Sequence, residues 1–242
     1  MADKYYEKGD CDKCIPLYEE ILIYFKGKKN VEQAYYRYAE CHYKLGEYQL
    51  AAFYFKNFVS SYPKSTLAEE AAFMSAKCFV EESPKYSLDQ VNTYQAIDKM
   101  QEFANKYPGS AKVEEANNTI DEMRIKLMKK DYESAYLYYK VRNYNAAAVS
   151  FKNLIEDYPD FYDMEKAYYF IIKSYKLYAD NSYTEKKADR YKLSLKAYNE
   201  FAKKFPQSTY LEELNDIKVA IDKNLKNLDD EQKNDRKKER RG

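Results

Sequence analysis

Cys11 and Cys14 stand in a C-x-x-C spacing, an arrangement that serves a dithiol redox pair or one half of a zinc site. The remainder of such chemistry is missing from the sequence. There is no second C-x-x-C, His42 is the single histidine, and the other two cysteines, Cys41 and Cys78, stand apart. Adjacent carboxylates at Glu69/Glu70 and Glu114/Glu115 offer acid–base groups, yet both pairs fall in the first turns of expected helices, where the helix dipole favours negative charge. No G-x-S-x-G, phosphate-binding loop or H-E-x-x-H occurs. These residues predict a non-enzymatic protein with no catalytic residue, no metal site and no cofactor.

The elements that would position any such groups announce themselves by repetition. Tyr62-Pro63, Tyr107-Pro108, Tyr158-Pro159 and Phe205-Pro206 recur at nearly even separations. At one fixed offset before each stands a small residue: Ala51, Ala96, Ala147 and Ser194. At two later offsets stand large ones, Phe55, Met100, Phe151 and Tyr198, then Phe58, Phe103, Leu154 and Phe201. This is one stripe of a helix that ends where proline forbids continuation. Cys14 falls at the small position, and Cys41 and Cys78 occupy equivalent places in successive repeats. The four cysteines therefore read as small buried side chains.

Bulk composition agrees with a helical binding protein. The chain has 242 residues, 45% hydrophobic and 33% charged, with only 5 Gly and 6 Pro. Lys+Arg (41) and Asp+Glu (40) nearly cancel, so no global field draws in nucleic acid or a membrane surface. Tyrosine is heavily used, at 29 residues, with no Trp. No apolar run approaches the ~20 residues that span a bilayer, and no signal peptide is visible.

The clearest unit, VEQAYYRYAECHYKLGEYQLAAFYFKNFVSSYPKS, pairs a helix carrying Tyr35, Tyr38, Ala39 and His42 with one carrying Ala51, Phe55 and Phe58. Gly46 sits between them, where positive φ closes a helix. Small, glycine, aromatic and proline positions together resemble the tetratricopeptide repeat. The resemblance implies an all-α, right-handed α-solenoid of five tetratricopeptide-like helix pairs with a C-terminal capping helix. The units fall at about 1–29, 30–64, 65–110, 111–160 and 161–207, with the capping helix at 208–228 carrying Leu211, Leu214, Ile217, Ile221, Leu225 and Leu228. Residues 229–242, almost purely charged, are expected to be a disordered tail. Thr66 with Glu69 reads as a capping box. The segments ESPKYSLDQVNTY and ADNSYTEKKADRY read as inserts in units three and five. The first helix of unit one lacks roughly two turns, so the natural chain is expected to extend upstream of Met1.

In a tetratricopeptide array the first helix of each pair lines the concave face. By that register Tyr6, Tyr36, Glu40, Tyr43, Phe73, Lys77, Tyr136, Tyr139, Lys140, Tyr169 and Lys173 are expected to face a peptide- or partner-binding groove. For each of these tyrosines, packing against a neighbouring repeat is an equally good explanation. The carboxylate clamp for chaperone C-termini is ruled out, because Asp3, Arg37, Glu70 and Met74 stand where its Lys, Asn and Arg would be.

Beyond the generic repeat, residues 1–228 resemble the BamD (ComL) family of the β-barrel assembly machinery. The likeness rests on YRYAECHYKLGEYQLAAFYFKNFVSSYPKS, on SLDQVNTYQAIDKMQEFANKYPGS with its insert Leu88-Asp89-Gln90, and on YYKVRNYNAAAVSFKNLIEDYP. It implies a lipoprotein on the periplasmic face of the outer membrane, held by an N-terminal lipidated cysteine absent from this chain. Its implied partners are proteins: unfolded outer-membrane proteins with aromatic-ended C-terminal strands, and the periplasmic domains of the barrel subunit. A generic scaffold of cell-envelope division or secretion is the alternative reading, and an enzyme using the C-x-x-C a more distant one.

Overall fold

A computed structural model describes residues 1–25 and 31–239. Among them the regular structure is helical: α1 (Ala2–Glu7), α2 (Cys11–Tyr24), α3 (Glu32–Lys44), α4 (Tyr48–Ser61), α5 (Ala68–Glu81), α6 (Val91–Lys106), α7 (Val113–Lys140), α8 (Tyr144–Asp157), α9 (Met164–Asp180), α10 (Thr184–Lys204) and α11 (Leu211–Glu239). The fold is all-α and tetratricopeptide-like. The chain divides into two compact units, Met1–Leu127 and Met128–Gly242.

In the first unit α1 to α6 pack each on the next. The repeat register explains why. Cys14, Ala51 and Ala96 are completely buried at the small position, and Tyr18, Phe55 and Met100 fill the space beside them. Phe58 packs edge-on to Tyr35 and Tyr36 at 5.9 and 6.0 Å. In the second unit Ala147 and Ser194 take the small position and Phe151, Leu154 and Phe201 the large ones, all buried. Ser194 adds a hydroxyl to a dry site and satisfies it by donating to the Ile172 carbonyl at 2.8 Å. The α11 stripe lies as its spacing demands: Leu214 and Ile221 are buried, with Leu211, Ile217, Leu225 and Leu228 packed beside them.

Turns repeat as closely as cores. Tyr62, Tyr107, Tyr158 and Phe205 are the C-caps of α4, α6, α8 and α10, each leaving helical geometry because proline follows. Each then accepts at its carbonyl from the N–H three residues on: Ser65, Ser110, Phe161 and Ser208. The turn inside each helix pair recurs too. Gly9, Gly46 and Arg142 have φ of 74°, 79° and 63°, and they are the positive-φ residues found among those described. The N–H of the next residue reaches back to Tyr5, His42 or Tyr138 at 2.9 Å in every case, a Schellman-type closure.

Several expectations are corrected. Thr66 and Glu69 form no capping box: Leu67 is the N-cap of α5, Ser65 Oγ accepts from the Leu67 N–H at 3.3 Å, and Glu69 accepts from the Ser110 hydroxyl instead. The unit-five insert, expected either to lengthen the connection or to extend the second helix, mostly does the latter, since α10 begins at Thr184. Where a disordered tail was expected from Asp229, α11 runs helically to Glu239, because Lys, Glu, Asp and Gln can continue an exposed helix and Lys233 pairs with Asp229 one turn away. Residues 240–242 lie outside those described.

Leu88-Asp89-Gln90 does form a loop, and its purpose is internal. Asp89 accepts from the Val91 N–H at 2.9 Å, and the buried Gln90 amide donates to the carbonyls of Lys85 and Leu88 at 2.9 and 3.0 Å. Thr93 donates to Gln90 Oε1 at 2.7 Å and shares a 2.6 Å bond with Ser83, which also receives Lys126 Nζ at 2.8 Å. The motif locks a connection in place.

Candidate functional site

The first helices of the first unit present one connected face. Tyr6 of α1 donates its hydroxyl to Glu40 of α3, and Glu40 pairs with Lys44 at 2.9 Å. Arg37 and Lys44 stand over the Tyr6 ring at 4.7 and 4.3 Å. Burial, reinforced by the Glu40 carboxylate, pushes the Tyr6 phenol up to about 12. Tyr36 leans on Phe55 at 5.4 Å and Phe58 at 6.0 Å and is partly buried. Burial first, then Glu70 and Glu40, raises its phenol well above the ordinary range. Tyr43 donates to Glu81 of α5 at 2.8 Å and meets Tyr48 edge-on at 5.4 Å. Lys77 reaches Glu115 of α7 at 3.5 Å, and Lys112 pairs with Glu70 at 3.0 Å.

Tyr6, Tyr36, Glu40, Tyr43 and Lys77 lie along α1, α3 and α5. Phe73 does not join them at the surface. It is 2% exposed and packs edge-on to Phe103 at 5.2 Å, with Lys112 stacked over it at 4.7 Å. Its place on α5 turns it inward because α6 leaves space there that an aromatic ring fills. The residues that spacing alone did not single out are the partners: Lys44, Glu81, Lys112 and Glu115. They are ordinary helix-surface charges in sequence, and only the neighbouring helix makes them part of the face.

The second unit carries a comparable face. Tyr136 and Tyr139 of α7 lie nearly parallel at 6.2 Å and both contact Phe170 of α9, at 5.0 and 5.1 Å. Lys140 stands over Tyr136 at 4.6 Å. Tyr169 donates to Glu213 of α11 at 2.9 Å, and Lys173 donates both to the Tyr169 hydroxyl at 2.7 Å and to Glu213 at 2.9 Å. The Lys173 hydrogen bond holds the Glu213 carboxyl below its usual range.

Chemically these faces offer ring edges, hydroxyls already held by carboxylates, and cations paired with anions. Such a surface suits an extended polypeptide with aromatic side chains, because rings fixed in advance lose little freedom on binding. A concavity of about 590 Å³ lies elsewhere in the first unit, between α4 and α6 above α5, bordered by Phe53, Lys56, Phe79 and Lys99. Periodicity did not indicate it.

The cysteines are closer than the sequence implied. All four are buried and unbridged. The sulfurs of Cys11, Cys14 and Cys41 lie within 4.8 Å of one another, a set that can hold a metal ion, with Cys14 Sγ and Cys41 Sγ at 2.9 Å. The register marked each as a small packing residue. That α2 and α3 set their small positions against one another is the signal that would have joined them.

A family model described as YfiO, outer membrane lipoprotein, matches residues 1–193. The chain is 28% identical over 232 residues to a putative outer membrane protein assembly factor BamD of Aquifex aeolicus (strain VF5), covering 94% of this chain and 72% of that protein. It is 26% identical over 134 residues to the outer membrane protein assembly factor BamD of Caulobacter vibrioides, covering 55% and 44% respectively. Among solved structures, a complex of the TPR2AB domain of yeast Sti1 with pHSP90 aligns at a TM-score of 0.42 and 13% identity, over 97% of this chain and 93% of that one. Among the described residues no helix is long and apolar enough to cross a membrane.

Proposed function

Because the chain belongs to the YfiO family of outer membrane lipoproteins and acts in outer membrane protein assembly, we propose that it does so as a non-enzymatic adaptor that grips unfolded substrate. In this reading the α1–α3–α5 face of the first unit takes the aromatic-ended C-terminal strand of an unfolded outer-membrane protein. The second unit docks on the periplasmic domains of the barrel subunit. Attachment through a lipid, as the family description implies, would hold it on the periplasmic face of the outer membrane.

The observation carrying this reading is that Tyr6, Tyr36 and Tyr43 are only partly buried while their positions are set by Glu40, Phe55 and Glu81. A rigid, partly open aromatic wall can seat phenylalanine side chains without ordering itself first. Peptides ending in Phe, and the same peptides ending in Ser, are titrated against the whole chain and its Tyr43→Ala variant by fluorescence anisotropy. Tyr43 is chosen because Tyr36→Ala would also strip packing from Phe55 and Phe58. A buried interface aromatic contributes about 1–2 kcal/mol or more, so Tyr43→Ala is expected to weaken the Phe-ended peptide by roughly ten-fold. Equal binding by variant and parent, or indifference to the terminal Phe, rejects this face as the substrate site.

A further inference from the structure

We propose that Cys11, Cys14 and Cys41 form a three-thiolate site for a soft monovalent metal ion of the cuprous type. Three of the chain's four cysteines converge at one point from two helices, with every pair of sulfurs within 4.8 Å. A metal held in a plane by three thiolates at about 2.3 Å places those sulfurs roughly 4.0 Å apart, inside that limit. The closest pair, Cys14 and Cys41 at 2.9 Å, would open by about 1 Å to accept it, a rotation of side chains that gives up the weak 3.4 Å bond from the Cys14 thiol to the Cys11 carbonyl. The same separation is far longer than the roughly 2.05 Å of a disulfide, so the sulfurs are free thiols ready to be ligands.

Two features favour a soft, low-coordinate ion over zinc. The donors are three sulfurs with no histidine or carboxylate among the grouped ligands, and structural zinc is almost always four-coordinate. Thiolates without a fourth donor match the preference of Cu(I). Position also helps. Cys11 opens α2 and Cys14 lies one turn inside it, so both thiolates sit at the positive end of that helix. The three cysteines share a buried cluster with Ala2, Tyr18 and Tyr38, and away from water a cation among thiolates is far better accommodated than lone thiolates. On binding, each ligating thiol releases its proton to solvent and no electron is transferred.

The test uses the whole reduced chain under anaerobic conditions, with Cu(I) delivered from a chromophoric bicinchoninate complex. One Cu(I) per chain is expected, and X-ray absorption should show three sulfur neighbours at about 2.3 Å. Cys41→Ser should lose at least ~100-fold in affinity, the upper end of what even indirect ligand supports contribute. Cys78→Ser, at the remaining buried cysteine, should lose nothing. Should Cys41→Ser fail to fold by circular dichroism, Cys11→Ser takes its place, and the absorption spectrum of the parent stands alone. Zn(II) should be stripped by a chelator that leaves Cu(I) bound. The proposal is overturned by less than one equivalent of Cu(I), by a coordination shell other than three sulfurs, by undiminished binding in the Cys41 or Cys11 variant, or by zinc outcompeting Cu(I).

Discussion

Replacing Arg142 by glycine should make the protein more stable, although it removes a charged side chain and adds nothing. Gly9, Gly46 and Arg142 occupy the same place in three helix-pair turns, at φ of 74°, 79° and 63°. The hydrogen bonds they hold are also the same. Gly46 N–H reaches Tyr43 and Glu47 N–H reaches His42 at 3.0 and 2.9 Å, against 3.1 Å for Arg142 to Tyr139 and 2.9 Å for Asn143 to Tyr138. The left-handed conformation costs an L-residue about 1–2 kcal/mol. Glycine escapes that cost but gives the unfolded chain extra freedom, worth roughly 0.4–1 kcal/mol. Arg142→Gly should therefore gain about 0.5–1 kcal/mol, the difference of those two effects. The reciprocal Gly46→Arg should lose a similar amount. A Cβ built on Gly46 meets nothing within 4 Å, so backbone strain alone sets that loss. In a chain of this size each kcal/mol moves Tm by about 2–4 °C, so paired thermal melts followed by circular dichroism resolve both changes. A lower Tm for Arg142→Gly would refute the reasoning, because it would mean the exposed arginine contributes more than its backbone costs.

Ala51→Leu should destabilise the first unit by about 1–3 kcal/mol through overpacking, since Ala51, Ala39, Phe55 and Phe58 all have no exposed surface; urea denaturation measures it, and a neutral result would show that α3 and α4 do not approach as closely as described. Acid should weaken the second unit through Glu213, whose carboxyl is held below its usual range first by the Lys173 hydrogen bond. A depressed carboxylate contributes stability that is present above its unfolded value of about 4.3 and is lost as pH falls through the lower folded value. Melting curves of Glu213→Gln against the parent should thus differ at neutral pH and converge in strong acid; a constant difference throughout would exclude the linkage.

Much of this fold is legible in the chain because local stereochemistry and burial act on residues a fixed number of positions apart. Proline after Tyr62, Tyr107, Tyr158 and Phe205 ends four helices whatever lies around them. The small positions at Ala51, Ala96, Ala147 and Ser194 foretell burial because helices that approach closely have no room for more. Spacing also put Tyr6, Tyr36 and Tyr43 on the first helices of their pairs, α1 and α3. It could not place Phe73, whose ring is drawn inward by space left beside Phe103 on α6. Nor could it anticipate Arg142 in a glycine conformation, since two hydrogen bonds and a packed pair of helices impose that φ on whatever residue stands there. The three-thiol cluster was equally hidden: C-x-x-C is a local pattern, whereas Cys41 reaches it only because α3 lies against α2. Sequence by itself determined where helices stop and which stripe each one buries, for those depend on neighbours along the chain. Tertiary structure alone decided which charges pair, which rings remain open and which sulfurs meet, because these are contacts between side chains that the chain holds far apart until it folds.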